Sequence, residues 1–378
     1  MILWLLDLLG LSQSAALGNL AGYITVRAAA ALVLTFGLCV LAGPRFIAWL
    51  RARKMGQHIR RSEGENAVSL HEMHAGKAGT PTMGGLLMLA ALTVSVALVG
   101  DWDEPVLWLA YFAALSFGII GFIDDYRKFT GRNNKGISER EKLAAQAAFG
   151  LIFAAGFYYF CGDMVRYRVT EVSGADLLVL PFVKEWAFAL GIAYIPFAVL
   201  VLAATSNAVN LTDGLDGLAA GVSTVAAMCF ALVAYLAGRA DMSTYLFIPH
   251  VQGAGEVAVI LAALVGACLG FLWFNAHPAQ VFMGDTGSMM VGGLLGASAL
   301  LVKHELLLVL VGGIFVLEAG SVILQVGSVK LTGRRVLRMS PLHHHFEKLG
   351  VPESKIIVRF WVVSALLALA GLSTLKLR

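Results

Sequence analysis

A chain of 378 residues that is 58% hydrophobic and only 14% charged, with a mean hydropathy of +0.79, is too apolar for a water-soluble domain. The formal charge of +4 sits in loops poor in aromatic residues, which gives no reason to expect a nucleic acid as partner.

Apolar runs of about 20 residues, enough to cross a bilayer, recur at 20–42, 80–99, 105–123, 143–161, 187–204, 217–237, 256–273, 286–302, 306–328 and 356–375. The stretch before them, Met1 to Leu9, lacks a basic flank and a small-residue cleavage site, so it reads as a short interfacial helix and not as a cleaved signal. Arg27, near the start of the first run, is expected to snorkel to the interface. Ten spans place both termini on one side. The odd-numbered loops hold nineteen of the 28 basic residues, among them Arg51, Arg61, Lys77, Arg127, Lys142, Arg334 and Arg338. The positive-inside rule therefore puts those loops in the cytoplasm and both termini outside. The even loops are short or acidic, as in Asp101-Trp-Asp103-Glu104. One of them, residues 164–181, alternates through Val165 to Thr170, turns at Ser173-Gly174 and continues as Leu177 to Leu180, which predicts a small exposed β-hairpin. Cys39, Cys161, Cys229 and Cys268 lie in or at the ends of apolar runs without paired spacing and read as packing residues.

The polar motifs, whose aspartates, asparagines and histidines played no part in setting this orientation, all fall on its cytoplasmic side. The second span is preceded by His74-Ala-Gly-Lys77 and then Gly79-Thr-Pro-Thr82-Met-Gly-Gly85, where Lys77 would neutralise a phosphate. The third ends Gly121-Phe-Ile-Asp124-Asp125-Tyr-Arg-Lys. Carboxylates at a helix C-terminus oppose the dipole, so capping explains them poorly. Neighbours on a helix diverge by about 100°, so one aspartate is expected to face a reacting phosphate and the other to orient a lysine or metal. Lys142, at the start of the fourth span, either pairs with one of them or solvates the helix start.

Asn210-Leu-Thr-Asp213-Gly-Leu-Asp216-Gly217 is expected to open the sixth span, with Thr212 or Asp213 as N-cap and first-turn amides suited to a diphosphate. Ordinary capping would explain one aspartate, not two and an asparagine. Asn275 to Ser288, containing Phe282-Met-Gly284-Asp285, opens the eighth span. Asp285 is the best single candidate for a Mg²⁺ ligand, since that ion favours one or two carboxylates plus phosphates and water. Phe282 either stacks on a nucleobase or is an interfacial aromatic. Glu318, in the middle of the ninth span, is expected to hydrogen-bond a neighbouring helix. His343-His344-His345, after Ser340-Pro341, are too close in sequence to converge on one metal and have no cysteines nearby. They read as contacts to a diphosphate or sugar, with one of the three structural.

The fold expected is an all-α polytopic membrane protein. It has about ten transmembrane helices, both termini periplasmic, a small periplasmic β-hairpin, a cytoplasmic active-site cleft and a single domain over 1–378. Carboxylates at span ends on one side differ from a secondary transporter, whose acids sit near the midplane on interrupted helices. An intramembrane aspartyl protease would need neither the Asn210–Asp216 run nor three histidines.

The aspartate pair, Asn-Leu-Thr-Asp-Gly-Leu-Asp-Gly and Met-Gly-Asp-Thr-Gly-Ser resemble the polyprenyl-phosphate N-acetylhexosamine-1-phosphate transferase superfamily. His71-Glu-Met-His74-Ala-Gly-Lys77 with Gly-Thr-Pro-Thr-Met-Gly-Gly, and Ser-Pro-Leu-His-His-His-Phe-Glu, resemble its phospho-N-acetylmuramoyl-pentapeptide-transferase branch. The resemblance covers essentially the whole chain. It implies UDP-N-acetylmuramoyl-pentapeptide as donor, undecaprenyl phosphate as acceptor, lipid I and UMP as products, a Mg²⁺ requirement and a homodimer. Carried over by motif, Asp285 with Asp213 would ligate Mg²⁺, and Asp124 or Asp125 would assist the attacking phosphate. Asn210, Asp213 and Asp216 would line the nucleotide and metal region, and Phe282 and Gly284 would hold uracil. His343 and His344 would contact the diphosphate or sugar, while Lys77 and Lys142 offset charge. Thr82, Asn275 and His345, in the same motifs, join the substrate-binding set. A route through an aspartyl-phosphate and a direct attack both fit these residues.

Overall fold

The computed structural model describes residues 22–53, 79–131, 136–169, 171–183 and 186–376. Lys77, His71, His74 and the Met1–Leu9 segment lie outside the described residues.

Helices occur at every position where the sequence predicts a span, but they are not of equal length. Among the described residues, eight are long and apolar enough to cross a membrane. These are α1 (Ile24–Ala52), α3 (Pro105–Thr130), α4 (Glu139–Phe160), α5 (Tyr194–Thr212, extended by a 3₁₀ turn from Gly191), α6 (Leu218–Ala237), α8 (Ala254–Asn275), α11 (Gly313–Thr332) and α13 (Glu353–Thr374). The second expected span is α2 (Gly85–Val99), whose 15 residues rise only about 22 Å, less than the hydrocarbon core. The eighth is α9 (Gly284–Leu301), with glycines at 287, 292, 293 and 296. Short helices α7 (Ala240–Leu246), α10 (Glu305–Val311) and α12 (Leu342–Lys348) complete the set, and α10 divides the expected ninth span at Gly312.

Burial separates inner from outer helices. Apart from a few residues near their ends, α8 and α9 are buried along their whole lengths, so an apolar surface all round is used for packing. The outer helices turn large apolar side chains outward, as at Leu41, Ile323, Leu331, Leu366 and Leu369, which suits a lipid surround. Small residues let the inner helices touch: a Cβ on Gly121 of α3 would lie 2.1 Å from the Asp285 carbonyl oxygen, and one on Gly85 2.1 Å from the Gly287 amide.

The expected hairpin is present but shorter, turning between Tyr167 and Val172, and the Leu177 segment enters a second small sheet. β1 (Val165–Tyr167) pairs antiparallel with β2 (Val172–Ser173) and with β5 (His250–Val251), opposing Arg166 to Ser173 and to His250. β3 (Leu177–Val179) pairs with β4 (Ala187–Ala189), Leu178 opposite Phe188. The strand at Val165 therefore does not meet the one at Leu177, because a distant strand beside α8 takes its other edge. At this end of the bundle Arg27 does not snorkel. It is 8% exposed and forms a two-pronged ion pair with Glu256, whose Oε2 also accepts the Asp101 N–H at 2.9 Å. Lys303 is fully buried nearby, donating to Glu305 Oε1 and to the Ala175 carbonyl, both at 2.8 Å.

Candidate active site

The opposite end gathers the C-termini of α3, α5 and α8 with the N-termini of α2, α4, α9 and α13. Asp285, in the first turn of α9, is the hub. Its Oδ2 lies 3.1 Å from Lys142 Nζ and 3.2 Å from Lys128 Nζ, and its Oδ1 accepts from Asn210 Nδ2 at 3.0 Å. Asn210 also donates to Ser288 Oγ at 2.8 Å. Lys142 thus pairs with Asp285 and lies 3.5 Å from Asn210 Oδ1, not with the α3 aspartates. α4 can present it because a capping box, Ser138 with Glu141, fixes that helix start.

The aspartate pair divides its labour. Asp125, 5% exposed, accepts from the Asp285 N–H at 3.1 Å, the Thr286 N–H at 2.9 Å and the Thr286 hydroxyl at 2.7 Å. A buried carboxylate from α3 therefore satisfies the orphan amides at the positive end of α9. Asp124 accepts from the Ile137 N–H at 2.8 Å and pairs with Lys128 at 2.5 Å, one turn on. Carboxylate oxygens of Asp124, Asp125 and Asp285 all lie within 4.8 Å of one another. Lys128 also belongs to this site, beside both Asp124 and Asp285. Its signal was the i, i+4 spacing from Asp124 in Asp-Asp-Tyr-Arg-Lys.

The glycine-rich segment before α2 lies along the segment before α9. Phe282 N–H donates to Pro81 O at 2.8 Å, Gly84 N–H to Phe282 O at 2.9 Å and Gly85 N–H to Met283 O at 2.8 Å. Phe282, Thr82 and Gly284 are half-buried in that seam. Gly284 has φ +75°, and a Cβ on it would fall 2.8 Å from Asp125 Oδ2 and 3.1 Å from Thr82 Oγ1, so glycine is required there.

The Asn210–Gly217 run ends one helix before it leads into the next, so neither Thr212 nor Asp213 is the expected N-cap. Residues to Thr212 complete α5, Asp213 is its C-cap, and Gly217 at φ +79° starts α6 without a side-chain cap. This turn splits its two aspartates. Asp213 faces the hub: burial pushes its carboxyl above the usual carboxylate range, the Asp285 and Asp125 charges push the same way, and the Gly284 N–H opposes them. Asp216 is 3% exposed and looks elsewhere, its Oδ2 accepting the Ala279 N–H and lying 3.1 Å from His277 Nδ1. Its own N–H donates to Glu353 Oε1 at 3.0 Å, so Asp216, His277 and Glu353 make a second cluster. Asn275, 3% exposed, accepts the Gly217 N–H at 2.9 Å and donates to Val281 O at 2.8 Å. Its amide thus braces the two loops. Nothing local in the sequence marked His277 or Glu353, whose partners lie on other helices.

The histidines separate likewise. His343 is the buried one of the three, 1% exposed between Glu318 and Gly214. His344 Nδ1 lies 2.5 Å from Glu347 Oε2, and His345 Nδ1 accepts the Arg338 N–H at 3.1 Å.

Comparison with known proteins agrees with this arrangement. Residues 107–303 match Glycosyl transferase family 4, and residues 77–89 match phospho-N-acetylmuramoyl-pentapeptide-transferase signature 1. The chain is 50% identical over 361 residues to the phospho-N-acetylmuramoyl-pentapeptide-transferase of Solidesulfovibrio magneticus, covering 95% of this chain and 96% of that protein. It is 51% identical to that of Desulfovibrio desulfuricans over the same shares, and 46% identical to that of Rickettsia felis over 96% of each chain. An acidic, lysine-flanked centre at one end of a membrane bundle and likeness along nearly the whole chain lead to one conclusion: this chain belongs to the phospho-N-acetylmuramoyl-pentapeptide-transferase family, within glycosyl transferase family 4.

Proposed function

We propose that this chain transfers phospho-N-acetylmuramoyl-pentapeptide from its UDP conjugate to undecaprenyl phosphate, giving lipid I and UMP. The observation that carries this reading is the meeting of Asp124, Asp125 and Asp285 with Lys128 and Lys142 at the site end of the bundle, in a chain of this family. An oxygen of the lipid phosphate attacks the sugar-side phosphorus, the new P–O bond forms, and the bond to UMP breaks. Two anionic substrates must meet, so the centre has to offset repulsion and charge developing on the leaving UMP.

The carboxylates present fit Mg²⁺: Asp124, Asp125 and Asp285 bring oxygens within 4.8 Å of one another, with Asp213 facing them, all donors that a hard cation prefers, and Asp285 already draws two ammonium groups within 3.2 Å. Asp285 with Asp213 would hold the ion, which supplies Lewis-acid stabilisation of phosphate charge. Asp125, with its oxygens given to α9, keeps Asp285 in place. Asp124 and Lys128 orient the acceptor phosphate, Lys142 and Asn210 the diphosphate, and Phe282 with Thr82 and Gly284 the uridine. Lys77 and His344 complete the charge balance. The whole chain acts as one domain in the cytoplasmic membrane, as a homodimer, with this site facing the cytoplasm and both termini outside.

The test is UMP release by purified protein in detergent with both substrates, in Mg²⁺ or EDTA. Release that needs lipid and Mg²⁺ and is lost in Asp285→Asn supports the reading. Release with UDP-N-acetylglucosamine alone would move the chain to another donor within the same superfamily.

A further inference from the structure

Helix α11 faces outward through Leu317, Ile323, Leu324 and Leu331, yet carries a carboxylate, Glu318, with no exposed surface at all. A buried acid is costly unless charge and hydrogen bonds compensate it. Its compensation comes from α12. Glu318 Oε1 accepts the His343 N–H at 3.2 Å, and Oε2 lies 3.1 Å from His343 Nδ1 in a bent geometry. That N–H is a first-turn amide without an acceptor inside its own helix, and α12 has no side-chain cap. With Nδ1 turned to Glu318, Nε2 points the other way and is pressed against Gly214, where a Cβ would lie 2.1 Å from it. Gly214 follows Asp213 in the turn that also places Asp216.

We propose that Glu318 is a positioning residue of the site: it fixes His343, and the His343 ring is the wedge that sets the Asp213–Asp216 turn. What that turn binds rests on the transferase reading above; the wedge itself does not. The carboxylate selects the tautomer with hydrogen on Nδ1, and only glycine at 214 admits the ring so placed. Glu318→Gln keeps the side-chain size and an acceptor for the His343 N–H, but removes the charge facing Nδ1.

Two readouts test it in the full-length protein. In ¹⁵N-histidine-labelled protein, the His343 ring signals, identified by their loss in His343→Asn, should change tautomer pattern in Glu318→Gln. In kinetics of UMP release, Glu318→Gln should raise KM for the nucleotide donor about tenfold, as loss of an outer-shell partner does, and leave KM for the lipid acceptor unchanged. Gly214→Ala should reproduce that split from the other side of the ring, which keeps the test open if Glu318→Gln lowers the melting temperature. The double variant Glu318→Gln/His343→Asn should be no worse than His343→Asn alone. Unchanged ring signals in Glu318→Gln, or losses that multiply in the double variant, overturn the proposal. If the unmodified protein releases no UMP, the transferase reading falls, and the ring signals alone then decide between Glu318 and no partner for His343.

Discussion

Asp125 and Asp285 carry the same charge 160 positions apart and do different work. Asp125 closes three donors at the start of α9, so Asp125→Asn turns an amide toward groups that already donate. It should cost about 1–3 kcal/mol of stability and lower activity, seen as a drop in melting temperature together with kcat. Asp285→Asn should abolish UMP release with the melting temperature nearly kept, because Asn210 and the lysines can still hold an amide oxygen. Asp213 sets a pH dependence. Its carboxyl is held above the usual range, so it is protonated at pH values where an ordinary aspartate is charged, and a cation must displace that proton. Half-saturating Mg²⁺ should therefore fall as pH rises through that raised value, and Asp213→Asn should flatten the dependence. Reading residues alone found all three aspartates but not their division. Consecutive positions on a helix say that two side chains diverge, and only the packing of α9 says which one meets its amides.

At the level of elements, close approach of backbones decides the site. Gly121→Ala would drive a Cβ to 2.1 Å from the Asp285 carbonyl oxygen, parting α3 from α9. The cost should be about 1–3 kcal/mol, with a loss of activity larger than the stability change explains. Gly327→Ala on α11, which meets nothing within 4 Å, is the control and should leave both nearly unchanged. Element boundaries were read less well than element positions. The Asn210–Gly217 run was expected at a helix start, since asparagine, threonine and aspartate favour N-caps, yet it ends α5. Asn210 stays inside that helix because Asp285 and Ser288 on α9 engage its side chain, and such a contact outweighs a local preference. The β-hairpin is shorter than expected for a similar reason: three-residue strands have weak register of their own, and His250–Val251 arrives from far along the chain to pair with β1.

Across the whole molecule, the two ends of the bundle hold charge for different ends. Arg27 and Glu256 tie α1, the α2–α3 loop and α8 together away from the site. Arg27→Met should destabilise by about 3–5 kcal/mol, since it strands a buried carboxylate, and Arg27→Met/Glu256→Met should recover most of that loss. Thermal unfolding of the three proteins checks it, with kcat per folded molecule expected to stay level. The membrane class, the positions of the spans and the gathering at one end of the bundle of those polar motifs that fall among the described residues were legible in the sequence, because hydropathy and charge act through segments of about 20 residues. The motif chemistry was legible too, since carboxylates and lysines at span ends have few other uses. What tertiary structure alone decided was partnership: Asp125 with Thr286, 161 positions on, Lys142 with Asp285, Asp216 with His277 and Glu353, and Glu318 with His343. These pairs depend on which helix faces which and at what height, and nothing in the local sequence of either partner encodes that.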